Sequence, residues 1–154
     1  MKQRRINALL MTLLGIALVA TSTACQKSGP GSSPTATMTA FFEAGKKKDP
    51  DGFKRTLSKG SLDLMESFAK AQNKTLDDAL KSGMASPEAA EQSQTPAMRN
   101  EKITGDTATL EVQNEKNKEW ETIPFVKEDG QWKIALDKAL KDAREKFSSQ
   151  QDVK

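Results

Sequence analysis

The chain has 154 residues, of which 36% are hydrophobic and 29% charged, a size and composition typical of one globular domain. Its formal net charge is +3, but three of the 24 basic residues, Lys2, Arg4 and Arg5, precede Cys25, and the remaining 21 equal the 21 acidic residues. This balance argues against nucleic acid as a partner. Histidine and tyrosine are absent and Cys25 is the single cysteine, so the commonest general base and metal ligand are missing and no intramolecular disulfide can form. We therefore expect neither a metal site nor a cofactor.

The first 24 residues have the three-part pattern of a secretory signal peptide. A basic start is followed by a mostly apolar run over residues 8–20 and by small residues up to Ala24. The apolar run is shorter than the roughly 20 residues that a membrane-spanning helix needs. This segment is therefore expected to direct export and not to be part of the fold.

The segment Ser22-Thr23-Ala24-Cys25 resembles the lipobox of bacterial lipoproteins, although Ser22 stands where that family usually has leucine. The resemblance implies a diacylglyceryl group on the Cys25 thiol, cleavage before Cys25 and acylation of the new amino group. It also implies a lipid-anchored protein of the cell envelope, and Gln26 after the cysteine implies the outer membrane, facing the periplasm, if the host has two membranes. The alternative is ordinary cleavage after Ala24, which leaves a free thiol.

Residues 25–33 are rich in Gly, Ser and Pro and predict a flexible tether after the lipidated cysteine. Fully extended, the eight residues after Cys25 would reach roughly 25–30 Å. A single domain is then predicted for residues 34–147, with a frayed tail over residues 148–154.

Helix signals dominate the first half of this domain. Ser33-Pro34 predicts the first helix, which ends at Gly45 and buries Met38, Phe41 and Phe42. Asp49-Pro50 predicts a short second helix that Gly60 ends. Ser61 is expected to cap a third helix, and Thr75 a brief fourth that Gly83 stops. Residues 84–96 are polar and alanine-rich, and they fit either a loop or one more helical turn.

The segment from Ile103 to Leu136 predicts two consecutive antiparallel hairpins. Asp129-Gly130 is a turn signal between two apolar runs. This turn pairs Lys127 with Trp132, Phe125 with Ile134 and Ile123 with Leu136, all on one face of the sheet.

Strand signals continue before this hairpin. Gly105-Asp106 predicts another two-residue turn, after a weakly patterned strand over residues 97–103. The alternation of Ala108, Leu110 and Val112 with polar residues predicts a strand buried on one face. Pro124 cannot donate to a strand ladder, so we expect an edge position or a bulge at that residue.

Asp137 is expected to cap a last helix. Leu136, Leu140, Ala143 and Phe147 would share one face of that helix. Helices followed by hairpins predict an α+β fold, in which a curved antiparallel sheet packs on the N-terminal helices and a short C-terminal helix follows.

Three segments together resemble small bacterial lipoproteins of unknown function in the nuclear-transport-factor-2-like (cystatin-like) superfamily. They are residues 39–44, Gly105-Asp106-Thr107-Ala108 and the hairpin segment from Asp129 to Ile134. The resemblance implies a cone in which a curved sheet wraps a long helix around an apolar pocket. The superfamily includes enzymes as well as binding and dimerising modules, so fold alone leaves the activity open.

The large apolar side chains Phe41, Trp120, Phe125 and Trp132 are candidates for lining such a pocket, and ordinary core packing is the alternative. Glu121 shares its strand parity with Ile123 and Phe125, which makes it the one acid on the predicted inner face. A carboxyl group in an apolar pocket could transfer protons, whereas a solvated strand end would be inert.

The preferred interpretation is a non-catalytic, membrane-anchored binding or interaction module whose partner is an envelope protein or a small apolar ligand. Two alternatives remain open. One is a small isomerase- or hydrolase-like enzyme with a buried carboxylate at Glu121, and the other is a structural lipoprotein that dimerises.

Overall fold

A computed structural model describes residues 29–86 and 94–151, and the side chains of these residues up to 145. Within them the chain is α+β: five helices pack against an open, four-stranded antiparallel sheet of order β1-β2-β3-β4. The helices are α1 (Pro34–Lys46), α2 (Pro50–Thr56), α3 (Lys59–Ala71), α4 (Leu76–Met84) and α5 (Leu136–Gln151). The strands are β1 (Met98–Thr104), β2 (Thr107–Gln113), β3 (Trp120–Glu128) and β4 (Gln131–Ile134). The predicted α+β class is confirmed.

The folded chain begins before α1. The Ser32 N–H donates to the Gly29 carbonyl at 3.0 Å, and the Trp132 N–H donates to the Gly31 carbonyl at 2.9 Å. Gly31 is buried, and its φ of +89° lets the chain turn against the edge of β4. The chain is therefore in contact with β4 at Gly31, ahead of the first helix. Residues 1–28, including the leader and Cys25, lie outside the described residues.

Helix starts follow the sequence signals closely, with one exception. The side chains of Ser33, Asp49 and Thr75 cap α1, α2 and α4 as predicted. The cap of α3 is Ser58 and not Ser61, because the Ser58 hydroxyl accepts the Ser61 N–H at 3.1 Å.

Three glycines that were expected to end helices lie inside them. Gly60 is in the first turn of α3, and α1 and α4 continue past Gly45 and Gly83 for one residue each. The chain leaves α1 through Lys48, which takes a left-handed φ of 53° in place of a glycine.

Pairing in the sheet agrees with the predicted turns. Of the three predicted pairs, two are confirmed: Lys127 with Trp132 and Phe125 with Ile134. The third predicted pair, Ile123 with Leu136, is wrong because β4 ends at Ile134 and α5 begins at Leu136. Ile123 pairs instead with Leu110 on β2.

Pro124 is not at an edge or a bulge, contrary to expectation. It lies in β3, a central strand, and pairs with Thr109 without a register shift. Its carbonyl accepts the Ala135 N–H at 2.9 Å, and the Ala135 carbonyl already accepts the Ala139 N–H of α5 at 3.1 Å. The acceptor that a donor at position 124 would have used is the Ala135 carbonyl, which α5 already satisfies. The missing N–H of Pro124 therefore leaves no backbone acceptor unpaired here.

β1 lacks a regular alternation of buried and exposed side chains, as its sequence suggested, because it contains a bulge. Its pairing with β2 shifts between Arg99 and Lys102, where Asn100 takes a φ of 53°. Such a bulge changes which residues share a face, so a strict period of two could not hold across it. The strand lies at an edge and is mostly exposed.

The last helix is not capped by Asp137, which instead lies within its first turn. The Asp137 Oδ1 lies 3.2 Å from the hydroxyl oxygens of both Ser58 and Ser61, and this polar cluster joins the starts of α3 and α5. The backbone of α5 remains helical to Gln151, past the predicted end at Phe147, whose side chain lies outside those described.

One hydrophobic core joins α1 and the C-terminal end of α2 to the sheet. Its buried members are Met38, Leu57, Ala108, Leu110, Val112, Phe125, Trp132 and Ile134. The predicted inward alternation of β2 is therefore confirmed.

Candidate functional site

Two cavities open beside the C-terminal half of α1, and Phe41 and Phe42 line both. The larger has a volume of about 460 Å³ and lies among α1, α2, α3 and α4. The smaller, of about 280 Å³, lies between α1 and the end of the sheet. Ligand pockets commonly have volumes of about 300–1,000 Å³, so only the larger cavity falls within that range.

The base of the larger cavity is aromatic. The Phe41 ring lies 4.4 Å from the Phe53 ring and 5.5 Å from the Phe42 ring, centroid to centroid, with the latter pair edge to face. Phe68 of α3 also lines this cavity and is 54% exposed, which is unusual for so large an apolar side chain. The cavity is therefore open to solvent along α3.

Two glycines are among the residues that line the larger cavity. Gly45 of α1 and Gly83 of α4 both line it, and a Cβ added at either position would meet no atom within 4 Å. Neither has a positive φ, so neither backbone conformation requires glycine. A glycine inside a helix costs about 0.5–1 kcal/mol relative to alanine. These two glycines thus lower helix stability without relieving any crowding, and both line the same cavity.

Among the described residues, Lys46 is the charged side chain that lines the larger cavity. The Lys46 Nζ donates to Thr95 Oγ1 at 3.1 Å and lies 3.4 Å from Glu43 Oε1. Of the described residues that line this cavity, none carries a carboxylate, and Gln72 is the other side chain with a hydrogen-bonding head. Lys46 therefore places one cationic group, paired with Glu43, on the α1 side of the cavity.

A surface ion pair holds α4 against α2. The Lys54 Nζ lies 2.7 Å from Asp77 Oδ1 and 2.9 Å from Asp51 Oδ1. Hydrogen bonds to Asp77 and Asp51 raise the pKa of Lys54 above its ordinary value. The contact between Lys54 and Asp77 links α2 to the start of α4, the helix on which Gly83 lines the cavity.

The smaller cavity has an apolar base and a polar rim. Met38, Ile123 and Leu136 contribute to its base, and Glu121 lies at the rim. Glu121 is on the predicted inner face, opposite Val112, but it is exposed, and its Oε1 accepts the Asn114 Nδ2–H at 2.8 Å. Of the two alternatives that the sequence left open, the structure places Glu121 at a solvated strand end and not as a buried carboxylate, because the strand end carries it beyond the apolar interior.

The four candidate pocket residues take different positions. Phe41 lines both cavities. Phe125 and Trp132 are 1% and 4% exposed and are not among the residues lining either cavity, so they are core residues. Trp120 pairs with Gln113 on the opposite face of the sheet and lies under Arg99. Strand parity decides these outcomes, since the inner face near Phe125 is filled by the core.

Sequence reasoning missed the part of the site built by α3 and α4. Met65, Phe68 and Leu76 line the larger cavity, and none of them was among the candidate pocket residues. The available signal was Gly83: a glycine inside an amphipathic helix can mark a cavity as well as a helix end.

The described residues form neither a metal-ligand cluster nor a membrane-spanning helix. Residues 29–86 and 94–151 contain no group of three or more His, Cys, Asp or Glu side chains arranged to hold a metal ion. Among the helices formed by these residues, none is both long and apolar enough to cross a bilayer. Comparisons of the chain with protein-family models, curated proteins and solved structures found no match.

Proposed function

We propose that this chain is a lipid-anchored protein of the cell envelope whose domain binds an apolar ligand in the larger cavity and catalyses no reaction. The observation that carries the proposal is the cavity of about 460 Å³, lined by aromatic residues and by small residues that include Gly45 and Gly83. A well-formed apolar pocket with few polar groups is typical of a small-molecule site.

The anchor rests on the leader and on Cys25. A basic start, an apolar run and small residues before Cys25 support acylation of that thiol. Two or three acyl chains hold a protein at a bilayer stably, whereas one does not. In a host with two membranes, Gln26 favours the outer membrane, facing the periplasm.

The finer description of the fold, a cone of the nuclear-transport-factor-2-like (cystatin-like) superfamily, is also a proposal. The order of the elements supports it, since helices precede a meander of four antiparallel strands. The larger cavity lies mainly among the helices, so the ligand would be held beside the sheet and not inside a closed cone.

A non-catalytic function is supported by the side chains around the larger cavity. They offer Lys46 and Gln72 as polar groups, and neither lies beside a general base within the cavity lining. The enzymatic alternative depended on a buried carboxylate at Glu121, but this side chain is exposed at the rim of the other cavity.

Two measurements test the proposal. The intact mass of the membrane-extracted protein should exceed that of the polypeptide starting at Cys25 by the mass of the acyl groups, and Cys25→Ser should abolish this increment and the membrane retention. For ligand binding, a photoreactive C16 alcohol added to isolated membranes should label peptides from α1, α3 and α4.

The control for labelling is a pair of variants on α4. Gly83→Leu adds a large side chain at a residue that lines the cavity, whereas Ser82→Leu adds the same side chain at a neighbouring residue that does not line it. We expect Gly83→Leu alone to reduce labelling, by about tenfold or more. Equal labelling of both variants, or none in the unmodified protein, would refute ligand binding, and an unacylated Cys25 would refute the anchor.

A further inference from the structure

The larger cavity has two distinct features, an apolar interior and one lysine at its opening. We propose that the ligand of this cavity is a single-chain anionic amphiphile, such as a long-chain carboxylic acid. This inference rests on the proposed function. The acyl chain of the ligand would lie between α1, α3 and α4, and its anionic head group would contact Lys46.

The interior fits a slender apolar chain. Gly45 and Gly83 remove side chains from two different helices at the same cavity, and Ala69 and Ala79 are also small lining residues. A volume of about 460 Å³ lies in the lower half of the usual range for ligand pockets, about 300–1,000 Å³. A flexible hydrocarbon chain buries apolar surface against Phe41 and Phe53 without requiring a hydrogen-bond partner, and the interior provides few such partners.

The charge at the opening favours an anion. Lys46 is the charged side chain of the lining, and of the described residues there none is acidic. An anionic head group is attracted to Lys46, whose present counter-ion is the Glu43 carboxylate, whereas a cationic head group is repelled by Lys46. Thr95 Oγ1, 3.1 Å from the Lys46 Nζ, provides a hydroxyl beside it that can donate to an oxygen of the head group.

The present partner of Lys46 does not prevent this contact. Glu43 Oε1 is 3.4 Å from the Lys46 Nζ, and Glu43 Oε2 is 3.7 Å from the Nζ of Lys47. If Lys46 turns to a head group, Glu43 keeps Lys47 as a counter-ion. Both lysines thus share one carboxylate, but only Lys46 lines the cavity.

This arrangement supplies a matched pair of variants. Lys46→Gln and Lys47→Gln remove the same charge from adjacent positions and leave Glu43 with one lysine each. In isolated membranes that contain the full processed chain, a photoreactive C16 acid should label cavity peptides more strongly than the C16 alcohol. Lys46→Gln should reduce labelling by the acid about fivefold, as expected for an exposed charge pair, and leave labelling by the alcohol unchanged. Lys47→Gln should change neither.

Each outcome has one meaning. Selective loss of acid labelling in Lys46→Gln supports the inference. Equal labelling by acid and alcohol, or equal effects of the two lysine variants, overturns the anionic head group while leaving a neutral apolar ligand possible under the proposed function. Absence of labelling by either probe in the unmodified protein overturns both. Labelling by the acid that Gly83→Leu does not reduce places the probe outside the cavity and also overturns the inference.

Discussion

Arg99 lies over the indole ring of Trp120, with its guanidinium carbon 3.8 Å from the ring centroid. The same side chain donates from Nε to Glu111 Oε2 at 2.7 Å. Arg99, Glu111 and Trp120 belong to β1, β2 and β3 respectively, so one arginine connects three strands across the face opposite the core. Such contacts stabilise the exposed edge strand β1, which makes few buried contacts of its own.

This relationship predicts a structural role for Trp120. Trp120→Ala should lower the free energy of unfolding by about 1–2 kcal/mol, because both the cation–π contact and half-buried apolar area are lost. Urea denaturation measures this change. Thr122→Ala, two residues along the same face, should change stability by less than about 0.5 kcal/mol. Loss of cavity labelling by the C16 alcohol in a folded Trp120→Ala protein would contradict the assignment.

The same cluster predicts a pH effect. Hydrogen bonds from Arg99 and then Asn100 hold the pKa of Glu111 below its ordinary value. A carboxyl with a lowered pKa in the folded state contributes stability above its unfolded pKa and loses it as the pH falls through its folded pKa. In Arg99→Gln the pKa of Glu111 should rise towards the ordinary value, which an NMR titration of its side-chain carboxyl would measure. A pKa that stays low in this variant would show that Arg99 is not the principal cause.

Two glycine substitutions should have opposite signs. A Cβ at Gly60 would lie 2.6 Å from Asp137 Oδ2, whereas at Gly83 it would meet nothing within 4 Å. We expect Gly60→Ala to destabilise the protein by about 1–3 kcal/mol through crowding. Gly83→Ala should stabilise it by about 0.5–1 kcal/mol through helix propensity. Thermal unfolding of the ligand-free protein compares them, and a shift in the same direction for both would refute the argument.

Ser61 predicts a further loss of stability. It is completely buried, and its Oγ accepts the Leu136 N–H at 2.8 Å and donates to the Ile134 carbonyl, 2.9 Å away. Ser61→Ala leaves the Leu136 N–H at the start of α5 without this acceptor, which should cost about 1–3 kcal/mol. Ser67→Ala on the exposed face of α3 is the control, with an expected change within about 0.5 kcal/mol. Equal denaturation midpoints for the two variants would refute the role of Ser61.

Local signals were sufficient for most of the fold. Ser33, Asp49 and Thr75 are capping residues whose chemistry is complete within three residues, and the Asp129-Gly130 turn determines its own nearest pairs. What failed depended on distant partners. Ser61 looked like a cap, but it is buried because the chain around Ile134 and Leu136 returns to it. Pro124 is tolerated because α5 starts where its ladder partner would have been.

The candidate site was less predictable than the fold for a related reason. Phe41 was identified because a helix face can be read from spacing. Trp120 and Trp132 were selected by size, although size does not distinguish the core from a cavity or one sheet face from the other. Gly45 and Gly83 were interpreted as helix ends, since sequence alone does not reveal the empty space beside a helical glycine.

The contact of Gly31 with β4 limits how far the domain could lie from Cys25, the proposed site of lipid attachment. Three residues, Gln26, Lys27 and Ser28, separate Cys25 from Gly29, the first residue that the structure describes. At about 3.3–3.6 Å per residue, the four steps from Cys25 to Gly29 span at most about 14 Å, half the reach of a free eight-residue linker. An acylated Cys25 would therefore keep the protein pressed near the lipid headgroups, with the β3–β4 turn next to the bilayer. A binding partner would then have to come close to the membrane surface.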